Sequence, residues 1–299
     1  GGTPQPVIQG TQHAQNPAIS INGNLLAYCL GPVRASAFYK ITLQNLTENL
    51  SAKKVELLAK SENSGDISPN GKKIAFRSDR YWTEEILTSD LDGNDIQQVT
   101  PENDTLRGKG SPRWCPNSRF IAFDALPINE SNRDIYILNP ENGTYWQLTH
   151  HSAYDAIPQW SQDGEWIYFR SKRSGEEEIW KIPYQGGDAI QLTKNGGFHP
   201  MESDDGTWLY FSKRYENGIW RIPVSGGEEE SIIEEDDQLK DGKMHKKHWT
   251  VVERGIYFIR IFSSDSKFTV EFFDFASHET TLIHEEEGEP GLHIDVTPD

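Results

Sequence analysis

Residues 158–195 read PQWSQDGEWIYFRSKRSGEEEIWKIPYQGGDAIQLTKN and contain four short β-type runs. PQWS is followed by a QDG turn, the alternating run EWIYFRS, a polar loop, EIWKIPY, a Gly-Gly turn and AIQLT. Aromatic and β-branched side chains fill the runs, and Asp-Gly and Gly-Gly mark the reversals. The segment predicts one antiparallel meander of four strands. Residues 200–233, PMESDDGTWLYFSKRYENGIWRIPVSGGEEESII, repeat it with turns at the same places.

Further copies fill the chain. The cores of the second strands are Leu25–Tyr28, Ile74–Phe76, Ile121–Phe123, Ile167–Phe169, Leu209–Phe211 and Ile256–Phe258. Steps of roughly 40–50 residues are the period of four-stranded propeller blades. The preceding turn reads SINGN, SPNGK, CPNSR, SQDGE and SDDGT at 20–24, 68–72, 115–119, 161–165 and 203–207. A tight reversal puts one residue at positive φ, which Gly meets without steric cost. Copy three has Ser118 there and copy six shortens the turn to Glu253–Gly255, so these two hairpins are expected to be the least regular. Copy one carries a polar insertion, QNLTENLSAKK, read as an exposed loop or a lengthened hairpin.

The fold expected is all-β, a single propeller domain over 1–299. Its four-stranded blades lie at about 17–60, 66–100, 111–150, 158–194, 200–234 and 247–285. Residues 1–10 align with a lone fourth strand and 290–299 with a lone first strand. Closing a ring with both chain ends removes exposed sheet edges. The expectation is six full blades plus a split seventh, in a fragment of a longer chain, with a six-bladed ring as the alternative.

Composition is compatible with such an array. Apolar residues make up 35% and aromatics 11%, and aromatics bury much area per residue. No apolar run approaches the roughly 18–20 residues that span a bilayer. Cys29 and Cys115 lie in different copies and read as packing residues rather than a disulfide or metal knuckle. A net charge of −17 disfavours nucleic acid and anionic membranes as partners. The acidic runs at 228–237 and 285–289 read as solvated loops.

The SPNG, SQDG and SDDG turns, the strand ending FRS, the IY or IW strand and the terminal QLT resemble the WD-like repeats of TolB-type β-propellers. Similar blades form the C-terminal halves of bacterial winged-helix regulators and the propellers of prolyl-oligopeptidase-like peptidases. The resemblance implies a non-enzymatic recognition or sensor domain that binds a protein or small ligand with its ring of loops. Extracytoplasmic, periplasmic placement is implied by the resemblance alone. The alternatives are a peptidase propeller without its hydrolase domain and a metal-dependent oligogalacturonate-lyase-like enzyme, since a fold hosts many activities.

Topology sorts the loops onto two faces. Connections from strand four to the next strand one, and from strand two to strand three, share one face; the Gly-rich turns form the other. The first face receives His13, His150, His151, His199, His245 and His248, and, after strand two, Arg77, Arg80, Arg170, Lys172, Arg173, Lys213 and Arg214, with Arg113 and Lys246 nearby. Asp92, Asp163, Asp204 and Asp205 make the opposite face acidic. Candidate contacts for an anionic ligand or acidic partner are Arg77, Arg113, Arg170, Lys213, His151, His199 and His248, since Arg grips carboxylates bidentately. The competing reading is that these side chains cross-link neighbouring blades through Asp and Glu. No cofactor is expected. The one alternative is a divalent metal held by His151, His199 and His248, which the resemblance to propeller lyases acting on oligogalacturonate would allow.

The chain has no G-x-S-x-G elbow, H-E-x-x-H or P-loop. Ser51–Lys54 and Ser264–Lys267 satisfy S-x-x-K within polar loops. Asp90–Asn94 begins like a calcium loop, but its twelfth position is Pro101, so it reads as a hairpin turn. Sequons at Asn45, Asn49, Asn103, Asn129 and Asn142 read as chance in a loop-rich chain.

Overall fold

The structure is a computed structural model that describes residues 62–287, apart from 79–82, 103, 235–241, 263 and 265–266; before residue 61 it describes strands alone. Those strands are β1 (Ala18–Ile19), β2 (Leu25–Leu30), β3 (Ala37–Gln44) and β4 (Ser51–Lys60). Copy two forms β5 (Glu62–Ile67), β6 (Lys73–Ser78), β7 (Glu85–Asp90) and β8 (Gln97–Gln98). Copy three forms β9 (Leu106–Trp114), β10 (Ile121–Pro127), β11 (Asp134–Leu138) and β12 (Tyr145–Gln147). Copy four forms β13 (Asp155–Trp160), β14 (Trp166–Ser171), β15 (Glu178–Pro183) and β16 (Ile190–Gln191). Copy five forms β17 (Phe198–Glu202), β18 (Trp208–Ser212), β19 (Gly218–Pro223) and β20 (Glu230–Glu234). Copy six forms β21 (Lys243–Val252), β22 (Gly255–Phe262), β23 (Lys267–Asp274) and β24 (Thr280–Glu287). Each sheet consists of four strands consecutive in sequence, paired antiparallel in chain order.

The turn between the first two strands is built by its own side chains. Ser161 Oγ donates to Asp163 Oδ1 (2.5 Å) and accepts from the Trp166 amide (2.9 Å), while Gly164 sits at φ 73°. Ser68 with Asn70, and Ser203 with Asp205, repeat the arrangement. Copy three places Cys115 Sγ where the others have the Ser hydroxyl, accepting from the Phe120 amide at 3.0 Å. Cys115 therefore completes a turn as well as packing in the core, and burial raises its thiol pKa. The expected irregularity at Ser118 does not occur. That residue takes φ 58° and its amide meets the Cys115 carbonyl at 2.8 Å, the same closure that glycine makes elsewhere. The copy-six turn is a two-residue hairpin, Val252 facing Gly255. Gln44 pairs with Ser51, so the copy-one insertion is a lengthened hairpin whose residues 45–50 lie outside the described ones.

In blades three to five both faces of the middle strands are buried, because a described blade packs on either side. On β14, Ile167 and Phe169 pack towards blade three, in one cluster with Ile137 and Leu148. Tyr168 turns the other way, joining Leu209 and Phe211 of blade five. Equivalent clusters join blades two and three around Phe123 and Ile86, and blades five and six around Trp249 and Tyr210. At roughly 25 cal/mol per Å² of apolar area, these thin layers are the main stabilising term.

The expected count of six full blades with a split seventh, or of six, is corrected by this packing. Five blades, formed by copies two to six, are joined by described side-chain cores. The copy-one strands pair as a further sheet beside β5, described as backbone alone. The supposed lone strands at 1–10 and 290–299 lie outside the described residues, and no described sheet takes a strand from either end. Recurring turns count segments that can form strands. Which sheets become blades is decided by stacking of side chains between sheets, which a repeat count does not contain.

The innermost strands carry one further common feature. Ser111, Ile157 and His199 have φ of 48°, 57° and 54°, each immediately before a proline (Pro112, Pro158, Pro200) and each at a break in register with the second strand. A β-branched residue rarely adopts this conformation, so Ile157 marks a bulge that surrounding structure enforces.

Candidate functional site

The two classes of connection assigned to one face do meet there. The amide of Gly197, in the connection from blade four to five, donates to the Glu177 carbonyl at 2.9 Å; Glu177 lies in the β14–β15 loop. Asp155 N likewise donates to the Arg133 carbonyl at 3.0 Å. The Asn132 side-chain amide donates to the Ser152 carbonyl.

The candidate residues separate within this frame. Arg113 is buried in the seam between blades two and three, donating to the carbonyls of Gly65 (3.2 Å) and Pro112 (3.1 Å). Beside it, burial raises the Asp66 carboxyl to about 6, opposed by the charge of Arg113 and by the Trp114 amide, which donates to it at 2.6 Å. Arg77 pairs with Glu84. Lys213 is buried over the ring of Trp220 (4.8 Å) and pairs with Glu229 at 3.1 Å. Glu229 also accepts from the Lys194 amide of the neighbouring blade at 3.4 Å. These three bases act largely as ties within and between blades.

Arg170 differs. Its guanidinium lies against the rings of Tyr154 (5.3 Å) and Phe198 (4.9 Å), and the Glu177 Oε1 carboxylate oxygen is 3.5 Å away. That oxygen also meets Lys172 Nζ at 3.8 Å and Arg214 NH1 at 2.5 Å. Arg214 reaches it from blade five, so three cations converge on one carboxylate across the seam between blades four and five. Lys172 and Arg214 are half exposed, and Tyr215 next to them is 86% exposed.

The histidines are scattered. His151 is exposed, its Nδ1 accepting from the Ala153 amide at 3.0 Å. His199 and His248 are buried on the inner strands of blades five and six, His199 edge-on to Trp249 at 5.5 Å. Among the described residues no group of three or more His, Cys, Asp and Glu is set to hold a metal. His13, Arg80 and the side chain of His245 lie outside the described residues.

Sequence reasoning missed a repeated lock on this face. Thr193 Oγ1 donates to Glu178 Oε2 (2.5 Å) and accepts from the Ile179 amide (2.8 Å). Thr149 does the same with Asp134 and Ile135, and Thr100 with Glu85 and Ile86. Gln98, Gln147 and Gln191 each donate to the carbonyl of the threonine two residues on. This is the physical content of the recurring Q-x-T, and a separation of 15 residues between acid and threonine in all three blades was the signal available. Burial raises the Asp134 carboxyl to about 7, helped by the charges of Asp155 and Glu130 and opposed by hydrogen bonds from Thr149 and Gln147. Lys109, 1% exposed, pairs with Glu85 of the preceding blade and with Asp104.

With this geometry in place, residues 104–242 match the family described as TolB beta propeller domain. Over those residues the blades are similar to that family. The chain is 27% identical to a TolB homolog of Chlorobaculum tepidum over 48% of this chain and 30% of that protein. It is 26% identical to an uncharacterized peptidase of Bacillus subtilis over 49% of this chain and 23% of that protein. The chain spans a third or less of the length of the curated relatives it matches. The crystal structure of TolB from Acinetobacter baumannii superposes with a TM-score of 0.70 at 17% identity, covering 91% of this chain and 66% of that one. That likeness concerns the fold.

Proposed function

We propose that this TolB-like propeller is a non-enzymatic recognition module that binds a protein or a small anionic ligand on its loop face, with Arg170 and His151 as the candidate contacts. Arg77, Arg113 and Lys213 tie the blades, and His199 and His248 are buried on inner strands. The observation that carries this reading is the contrast between the two faces. The turn face closes on itself, each Ser hydroxyl and Asx carboxylate or amide consumed by turn amides. The loop face leaves Tyr215 86% and Tyr154 38% exposed beside Arg214 and Arg170. Exposed aromatics next to Arg are the side chains enriched at recognition hot spots. The test is a photo-crosslinking residue placed at Tyr215 or, on the turn face, at Gly186, in the intact protein within its own cells. A discrete adduct from position 215 and none from 186 is the expected result; adducts from 186 alone overturn it.

A second reading, the propeller domain of a prolyl-oligopeptidase-like peptidase, is favoured by the match to the Bacillus subtilis peptidase. Labelling of the full-length parent protein by a fluorophosphonate, with cleavage of a chromogenic prolyl peptide, would support it. An unlabelled, inactive parent protein would end it.

A further inference from the structure

We propose that the seam between blades four and five binds a carboxylate group through Arg170, Lys172 and Arg214, a specific site on the loop face that rests on the recognition reading above. Three cations surround a single oxygen, Glu177 Oε1, at 3.5, 3.8 and 2.5 Å, leaving a local charge of +2 (three cations, one anion) in a chain of net charge −17. Like charges packed this closely repel, and a second carboxylate relieves that repulsion. Arg170 is the built component. It is 13% exposed and packed against two rings, so its position is largely set before anything arrives. Rings packed against a guanidinium leave its N–H donors for bidentate contact with a carboxylate. Lys172 and Arg214, half exposed, sit where they can close on the same ligand. Tyr215 supplies an aromatic surface beside them, which favours a carboxylate with an apolar neighbour.

The carboxylate could belong to an acidic peptide segment or to a free polycarboxylate, and two probes separate them. One is a capped pentapeptide of four aspartates around a phenylalanine, with its all-asparagine counterpart as control; the other is citrate. Each is titrated calorimetrically into the protein at low salt. The expected result is binding of one acidic probe and none of the asparagine peptide, weakened at least tenfold by Lys172→Gln with Arg214→Gln. Those two side chains are half exposed, so the double variant keeps its thermal midpoint. Arg170→Gln, read alongside, should weaken binding further. Peptide alone identifies a protein segment as the ligand, and citrate alone identifies a small acid. No binding of either acidic probe, or equal binding by wild type and variants, overturns the site. Binding lost on Arg77→Gln but retained in the seam variants would remove this site and leave the loop-face reading standing.

Discussion

Asp134 shows how much one position depends on its surroundings. In an unfolded chain its carboxyl titrates near 3.8, and in the fold, buried beside Asp155 and Glu130, it titrates at about 7. The folded state therefore binds a proton that the unfolded state releases between these two values. The stability from that difference is full below about pH 4 and is lost as pH rises through 7. Asp134→Asn removes the titrating group and keeps an acceptor for Thr149. The thermal midpoint of wild type relative to this variant should fall between pH 4 and pH 7.5; parallel midpoints across that range would contradict the shift. Asp205 moves the opposite way, held down to about 2 by hydrogen bonds from Ser203 and Thr207. The two aspartates differ because one meets charge and low dielectric, and the other meets donors in water.

At the scale of the element, the joint between the third and fourth strands depends on the threonine lock. The short strand β16 pairs with β15 through two residue pairs, so Thr193 contributes much of what holds its end. Thr193→Val keeps the shape and leaves the buried Ile179 N–H and Glu178 carboxylate without that partner. Leaving buried polar groups unsatisfied costs about 1–3 kcal/mol. Urea unfolding should report a loss of that size, and a loss below about 0.5 kcal/mol would show that the lock is incidental. Blade five has Gly218 where blade four has Glu178, and its fourth strand, ESIIE, lacks the threonine. It pairs along a longer β20 instead. The motif is thus one of two ways to close a blade, and its absence in copy five was visible in the sequence.

At the scale of the molecule, blades are held by side chains that cross seams. Trp160 is 5% exposed in the core between blades three and four, and its Nε1 donates to the Arg113 carbonyl at 3.1 Å. Trp180 lies at the margin of that core, under the guanidinium of Arg173. Trp160→Ala should cost about 3–5 kcal/mol, and Trp180→Ala should cost clearly less. Chemical denaturation compares them, and equal losses would refute this view of the seam. Charge reversal at Lys213 is expected to lower the melting point, because the new carboxylate would face Glu229. Buried, paired bases are therefore poor probes of binding, whereas Lys172 and Arg214 can be changed with little effect on the fold.

By itself the sequence determined strands, turns and their order. Side-chain alternation and turn chemistry act over a few residues, so Ser161–Gly164 and Ile167–Phe169 carry their structure locally. Connectivity also dictates which loops share a face, as the Gly197 amide meeting the Glu177 carbonyl shows. Only the tertiary structure decided the rest. The number of packed blades and the burial of Arg113, Lys213, His199 and His248 all depend on the distance across seams. So does the meeting of Arg170 and Arg214 on Glu177, the two arginines lying 44 positions apart (214 − 170). Those distances come from whole sheets stacking, a non-local sum of many small contacts that no single stretch of chain encodes.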